Sequence, residues 1–159
     1  MSYRVPITFL FLLLLTTGLY AETEHQPRCN LSLFGAIDFG SYNKFYGFGG
    51  AAGYLFTPRI ELEAEVYHMI STHLRYTGLS AALLGNYRIE RYKLCPYILG
   101  GATILQGNGG SLTYLMWGGG IRRDITRSLK IRFDLRFHTH LDGETDFWMK
   151  FSTGLMWSF

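Results

Sequence analysis

Leu129-Lys130-Ile131-Arg132-Phe133-Asp134-Leu135-Arg136-Phe137-His138-Thr139-His140 is the stretch on which the fold turns. Leu129, Ile131, Phe133, Leu135, Phe137 and Thr139 take every second position, and Lys130, Arg132, Asp134, Arg136, His138 and His140 fill the positions between. Successive side chains of a β-strand point to opposite faces, so this segment is a strand with one apolar and one charged face. The next strand runs to the end of the chain. Its Phe147, Met149, Phe151, Thr153, Leu155, Trp157 and Phe159 interleave with Trp148, Lys150, Ser152, Gly154, Met156 and Ser158.

Working back toward the amino terminus, the same period-two pattern recurs until eight segments are accounted for from Cys29 onward. The first, about Asn30 to Phe39, sets Leu31, Leu33, Ile37 and Phe39 against Asn30, Ser32, Phe34, Ala36 and Asp38. The second, about Tyr46 to Phe56, has Tyr46, Phe48, Ala52, Tyr54 and Phe56 on one face and mainly glycine and alanine on the other. Small residues there suit a crowded, curved interior. Thr57-Pro58 turns the chain into the third, about Arg59 to Met69, where Glu61, Glu63 and Glu65 share a face opposite Ile60, Leu62, Ala64 and Val66. The fourth, about Tyr76 to Ile89, ends at a polar turn from Glu90 to Lys93. The fifth spans about Pro96 to Leu105 and the sixth about Leu112 to Arg123. Repeated glycines leave the inward and outward faces of those two open.

Composition agrees with this division. Of 159 residues, 48% are hydrophobic and 16% aromatic, and 19 are glycine. Only 17% are charged, against about 25% in ordinary soluble domains. A helical membrane protein needs about 18 or more consecutive apolar residues, and no such run exists beyond the first twenty or so positions. The apolar surplus sits in short alternating pieces instead, the pattern of a transmembrane β-barrel. A soluble barrel with its apolar face inward would crowd all the large apolar side chains into a lumen that eight strands make only just wide enough to fill. The net charge of +3 is too small to point to nucleic acid.

Arg4, the apolar stretch Ile7 to Leu15 and the closing Leu19-Tyr20-Ala21 read as a secretory signal peptide, 1–21, cut after Ala21. Residues 22–28 form a short tail, and 29–159 the barrel. Export makes Cys29 and Cys95 candidates for a disulfide. They fall at the starts of the first and fifth strands, on opposite sides of the barrel, so a bond requires the tail around Cys29 to fold across the mouth. No cysteine or histidine spacing resembles a metal site.

With both termini periplasmic, the turns at Thr57-Pro58, Glu90 to Lys93 and Asp124 to Ser128 are periplasmic too. The connections near Gly40 to Phe45, Ile70 to Arg75, Gln106 to Ser111 and Leu141 to Asp146 are external. Aromatics gather near strand ends as an interfacial girdle would require. Tyr42, Phe45, Tyr46, Tyr67, Tyr76 and Tyr114 fall at one level, and Tyr54, Phe56, Tyr87, Tyr97, Trp157 and Phe159 at the other. The lumen is expected to hold Asp38, Glu61, Glu63, Glu65 and Asp134 against Arg88, Lys130, Arg132, Arg136 and Lys150, five acids with five bases. An unpaired charge in so narrow a space is costly, so the near-balance reads as a network that fills the barrel.

Gly47-Phe48-Gly49-Gly50-Ala51-Ala52-Gly53-Tyr54, Glu61-Leu62-Glu63-Ala64-Glu65, Pro96-Tyr97 with Gly100-Gly101, Gly118-Gly119-Gly120-Ile121-Arg122, Asp142-Gly143-Glu144-Thr145-Asp146 and the closing Leu155-Met156-Trp157-Ser158-Phe159 together resemble the small bacterial outer-membrane barrels, the OmpA-like and OmpX-like barrel domains. The resemblance covers essentially the whole chain after the leader. It implies a place in the outer membrane, where lipid and lipopolysaccharide are the expected partners; no cofactor, no nucleic acid and a monomeric state are expected of the chain. It further implies that Phe151, Leu155, Trp157 and Phe159 present the terminal strand to the barrel-assembly machinery. The external connections are shorter than such barrels usually carry, which weakens transfer of an adhesin or receptor role.

These features point to a structural or surface-interacting barrel of the cell envelope with no catalytic set. A narrow, porin-like channel for ions or small solutes is the alternative, and predicts that neutralising Glu63 or Arg132 changes ion selectivity. A lipid A-modifying hydrolase is the second alternative. Some eight-stranded barrels are lipid A deacylases with a His-x-Ser pair and an acid near the last two strands. This chain has His138-Thr139-His140 and Glu144, with histidine where the serine should stand. Alternation with Leu135 and Phe137 turns His138 and His140 inward, away from lipid. A palmitoyltransferase would need an amphipathic helix before the barrel, and Glu22 to Arg28 is too short for one.

Overall fold

The computed structural model describes residues 28–40, 44–72, 74–107, 110–140 and 147–159. The expected leader, most of the tail, Tyr42 and the stretch Asp142 to Asp146 with Glu144 lie outside the described residues. The rest forms eight strands: β1 (Cys29–Phe39), β2 (Lys44–Thr57), β3 (Ile60–Ile70), β4 (Arg75–Asn86), β5 (Leu94–Gly107), β6 (Gly110–Asp124), β7 (Leu129–His140) and β8 (Phe147–Ser158). Each pairs antiparallel with its neighbours in sequence, and β8 returns to β1 to close the barrel, from Asn30 opposite Ser158 to Phe39 opposite Met149. This is the up-and-down architecture that the eight alternating segments predict. Closure leaves no unpaired strand edge, the condition for a sheet to survive in lipid.

Alternation decides which face each residue takes. On β1, Asn30, Ser32, Phe34, Ala36 and Asp38 are buried while Leu31, Leu33 and Phe39 are exposed. On β3, Glu61, Glu63 and Glu65 are buried while Leu62 and Val66 are exposed. An apolar belt therefore covers the outside, and the charges point into the lumen. The two open registers resolve in the same way. Tyr97, Leu99, Gly101 and Thr103 face inward on β5, and Leu115, Trp117 and Ile121 face outward on β6, which turns Tyr114, Met116 and Arg122 into the lumen.

The turns at the termini end are built from local hydrogen bonds. The Thr57 hydroxyl accepts from the amides of Arg59 at 3.2 Å and Ile60 at 3.0 Å, closing β2 onto β3 around Pro58. A short 3₁₀ turn, Glu90–Tyr92, links β4 to β5 and ends at Lys93 with a left-handed φ of 52°. The Thr126 hydroxyl accepts from the Leu129 amide at 3.0 Å between β6 and β7.

The girdle expected from the sequence needs correction. Tyr46, Tyr54, Phe56, Tyr87, Trp157 and Phe159 are exposed on the outer face. Tyr67, Tyr97 and Tyr114 are instead buried in the lumen, and Phe45 and Tyr76 pack against its apolar cluster. The reason is parity. Tyr67 continues the inward row of Glu61, Glu63 and Glu65, and Tyr97 the row of Leu99 and Thr103. Inward glycines make room for them: a Cβ on Gly78 would collide with the Tyr67 ring, and one on Gly120 with the Tyr97 ring. Cys29 and Cys95 are both free thiols.

Candidate functional site

The buried charges of the lumen come chiefly from β3 and β7, which lie four strands apart in an eight-stranded ring and so face each other across the barrel. Their ion pairs cross the lumen. Glu63 of β3 meets three arginines: Arg132 through both terminal guanidinium nitrogens, one at 2.9 Å, Arg136 at 2.9 Å and Arg122 at 3.8 Å. Arg132 turns the rest of its fork to Asp134, at 2.6 and 3.0 Å. Arg136 also reaches Glu65 at 3.0 Å, and Lys150 of β8 pairs with Glu65. Arg122 holds Glu61 at 2.6 Å, and Asn30 and Asn86 donate to the same carboxylate at 3.0 and 3.2 Å.

Neutral partners add to the set. The Tyr97 hydroxyl donates to Asp134, Ser152 donates to Asp134 at 3.3 Å, and the Tyr76 hydroxyl donates to Asp38. The Arg122 guanidinium lies 4.5 Å from the Tyr97 ring centre, and the Lys150 ammonium 3.7 Å from that of Tyr67. Isolated charges could not be buried at such depth. Here each carboxylate has cationic or hydroxyl donors within reach, which is the condition for burying them.

Asp38, Glu61, Glu63, Glu65, Arg132, Asp134, Arg136 and Lys150 are all buried in the lumen. One expected member is elsewhere, and another stands at the mouth of the lumen. β4 ends at Asn86, and Arg88 leaves the wall to sit on the rim, its side chain 44% exposed, paired with Glu90 at 2.6 Å and Asp124 at 2.9 Å. Lys130, half-buried, marks the end of the inward row of β7. The base absent from the expected set is Arg122, 3% exposed. Alternation from Leu115, Trp117 and Ile121 already turns it inward, but the glycines at 118, 119 and 120 hide that rhythm. The lumen thus holds Arg122, Arg132, Arg136 and Lys150 against five carboxylates.

Toward the opposite end the lumen is aromatic. Phe34, Tyr67, Tyr114 and Trp148 form one cluster with Met69, and strands β4 to β6 contribute a second of Ala82, Leu84, Leu99 and Met116 beside Tyr97. His138 is fully buried and stacked on Trp148, ring centres 3.6 Å apart and 2° from parallel. Thr139 is exposed on the outer face, and the His140 ring lies edge-on to Tyr114 at 5.1 Å. No cluster of three histidine, cysteine or acidic side chains able to hold a metal exists among the described residues.

No protein-family model matches the sequence, and no curated protein matches it. Solved structures do. The N-terminal β-barrel domain of Pseudomonas aeruginosa OprF is similar with a TM-score of 0.67 and 17% identity, over 85% of this chain and 100% of that one. Neisserial surface protein A gives 0.67 and 12%, over 82% and 96%. Ail, the attachment invasion locus protein of Yersinia pestis, gives 0.58 and 15%, over 86% and 100%. A de novo designed transmembrane β-barrel is also similar, at 0.58 and 14%. Small outer-membrane barrels therefore share this fold, and the designed one shows that the fold by itself carries no particular task.

Proposed function

We propose that the chain is an integral barrel of the bacterial outer membrane, inserted with both termini on the periplasmic side and sealed by its own charge network. It serves as a structural, surface-contacting element of the envelope and works as a monomer. The observation that carries this reading is the set of ion pairs joining β3 to β7 across the lumen. Side chains bonded to opposite walls leave no continuous water path, and an eight-stranded ring is only wide enough for such filling. The apolar outer belt and the similarity in fold to outer-membrane barrels support the location. Phe151, Leu155 and Trp157, outward on β8, and the exposed Phe159 that follows it are proposed as the surface offered to the assembly machinery.

Purified barrel, verified as folded by heat-modifiable migration on a gel, is expected to give no large conductance steps in a planar lipid bilayer. Regular large steps would replace the sealed reading with the channel one, in which Glu63→Gln or Arg132→Met would alter ion selectivity. The hydrolase reading is disfavoured, since an esterase acting on a membrane lipid needs its histidine at the lipid face, whereas His138 stacks on Trp148 inside.

A further inference from the structure

The charges outside the lumen are distributed very unevenly between the two ends of the barrel. Arg28 leads into β1, and Arg59 lies in the β2–β3 turn. Arg88, Arg91 and Lys93 occupy the β4–β5 connection, and Arg123 and Arg127 flank the β6–β7 turn. All seven are exposed. The carboxylates described at this end are Glu90 and Asp124, and both pair with Arg88. Even adding Glu22 and Glu24 of the preceding sequence, cations keep an excess of three. At the other end the described cations are Lys44 and Arg75, while the sequence joining β7 to β8 carries Asp142, Glu144 and Asp146.

The basic residues form a ring, since they occupy all three turns at that end and the entry to β1. Beside them stand Tyr54, Phe56, Tyr87, Trp157 and Phe159 on the outer face and Tyr92 within the β4–β5 connection, all exposed. Tyrosine and tryptophan settle at the level of lipid headgroups. This belt therefore sets the collar at the height of the phosphates. Guanidinium groups bind phosphate oxygens in pairs and are only weakly hydrated, so arginine, six of the seven, fits such a place better than lysine.

We propose that this collar binds the anionic phospholipid headgroups of the leaflet around the termini end of the barrel, selecting phosphatidylglycerol-like over zwitterionic lipid. The proposal rests on the membrane reading above and adds a lipid preference to it. The apolar belt holds the barrel in the bilayer, and the collar decides which headgroups line that rim. Anionic surfaces attract basic residues lying within a Debye length, so the preference weakens with salt.

The test uses tryptophan quenching. Trp157 faces outward next to the collar, Trp148 is enclosed in the lumen, and Trp117→Phe removes the other outward tryptophan. The Trp117→Phe barrel is reconstituted into phosphatidylcholine vesicles containing equal fractions of either brominated phosphatidylglycerol or brominated phosphatidylcholine. Quenching by the brominated phosphatidylglycerol is expected to correspond to at least about a threefold preference, shrinking toward unity at high salt. Arg28→Gln, Arg123→Gln and Arg127→Gln together should abolish it. If that variant gives no heat-modifiable band, the salt arm on the parent decides alone. Equal quenching by both lipids at low salt would overturn the collar while leaving the membrane reading intact, and would point to a soluble polyanion as the partner. No quenching by either lipid would overturn both.

Discussion

Arg132→Met is expected to destabilise the folded barrel by about 3 to 5 kcal/mol, the largest effect of removing any single charge from the lumen. Its guanidinium serves two carboxylates, Glu63 and Asp134, from opposite sides of one side chain, and it lies 5.5 Å from the Tyr97 ring centre. Removing it leaves Asp134 with Tyr97, Ser152 and a 3.8 Å contact to Arg136, and Glu63 with Arg136 and the distant Arg122. Two carboxylates would then share donors sufficient for about one, in a space with little water. Urea unfolding of the barrel in lipid vesicles measures the loss as a shift of the midpoint at constant slope. Glu63→Gln combined with Arg132→Met should lose less than the two single changes added together, by about 0.5 to 3 kcal/mol, because the two residues act as a pair. Arg132→Lys should recover only part of the stability, since an ammonium cannot hold both carboxylates in the fork geometry. Arg88→Met provides the contrast, about 1 kcal/mol or less, because its ion pairs sit in solvent at the rim. Equal losses for Arg132→Met and Arg88→Met would show that the cross-lumen bonds contribute little.

Gly101→Val is expected to prevent or severely weaken folding, whereas Gly100→Ala, one residue away, should be neutral or stabilising by up to about 1 kcal/mol. A Cβ on Gly101 would run into the Ala81 carbonyl oxygen and come within 2.7 Å of the Ala82 Cα. Both are backbone atoms of the neighbouring strand, so no side-chain rotation relieves the clash and β4 and β5 must separate. A Cβ on Gly100 points outward and meets nothing within 4 Å. The difference arises from curvature. Where the wall bends sharply, inward Cβ positions converge on the next strand while outward ones spread apart. The fraction of heat-modifiable, folded protein after refolding into detergent or vesicles reads both outcomes. A Gly101→Val barrel as stable as the parent would mean that the wall at β4 and β5 is less tightly curved than described.

Much of this was legible in the chain because β-structure obeys a local rule. A period of two assigns a face to each residue without knowledge of any partner, and so Leu31, Glu63 and Arg136 could be placed from their neighbours alone. The rule faltered where its markers were missing. Glycines at 118, 119 and 120 carry no face, and they hide Arg122, just beyond them, as the partner of Glu61. Level misled where parity would have served: Tyr67, Tyr97 and Tyr114 stand near strand ends, which suggested a girdle, yet their positions in the alternation turn them inward against Gly78, Gly120 and Trp148. At Arg88 the alternation itself misled, since the strand ends two residues earlier and the chain bends away to bond its side chain with Glu90 and Asp124.

By itself the sequence determined the number of strands, their order, the turns between them and, for most positions outside the fifth and sixth strands, which residues face outward and which face the lumen, because these follow from spacing along a single segment. The pairing across the lumen was decided only by the tertiary structure. Glu63 meets Arg132 and Arg136, some seventy residues away, because closing eight strands sets β3 opposite β7 and the stagger of the ring sets their heights. Neither quantity is written in the period of any one strand.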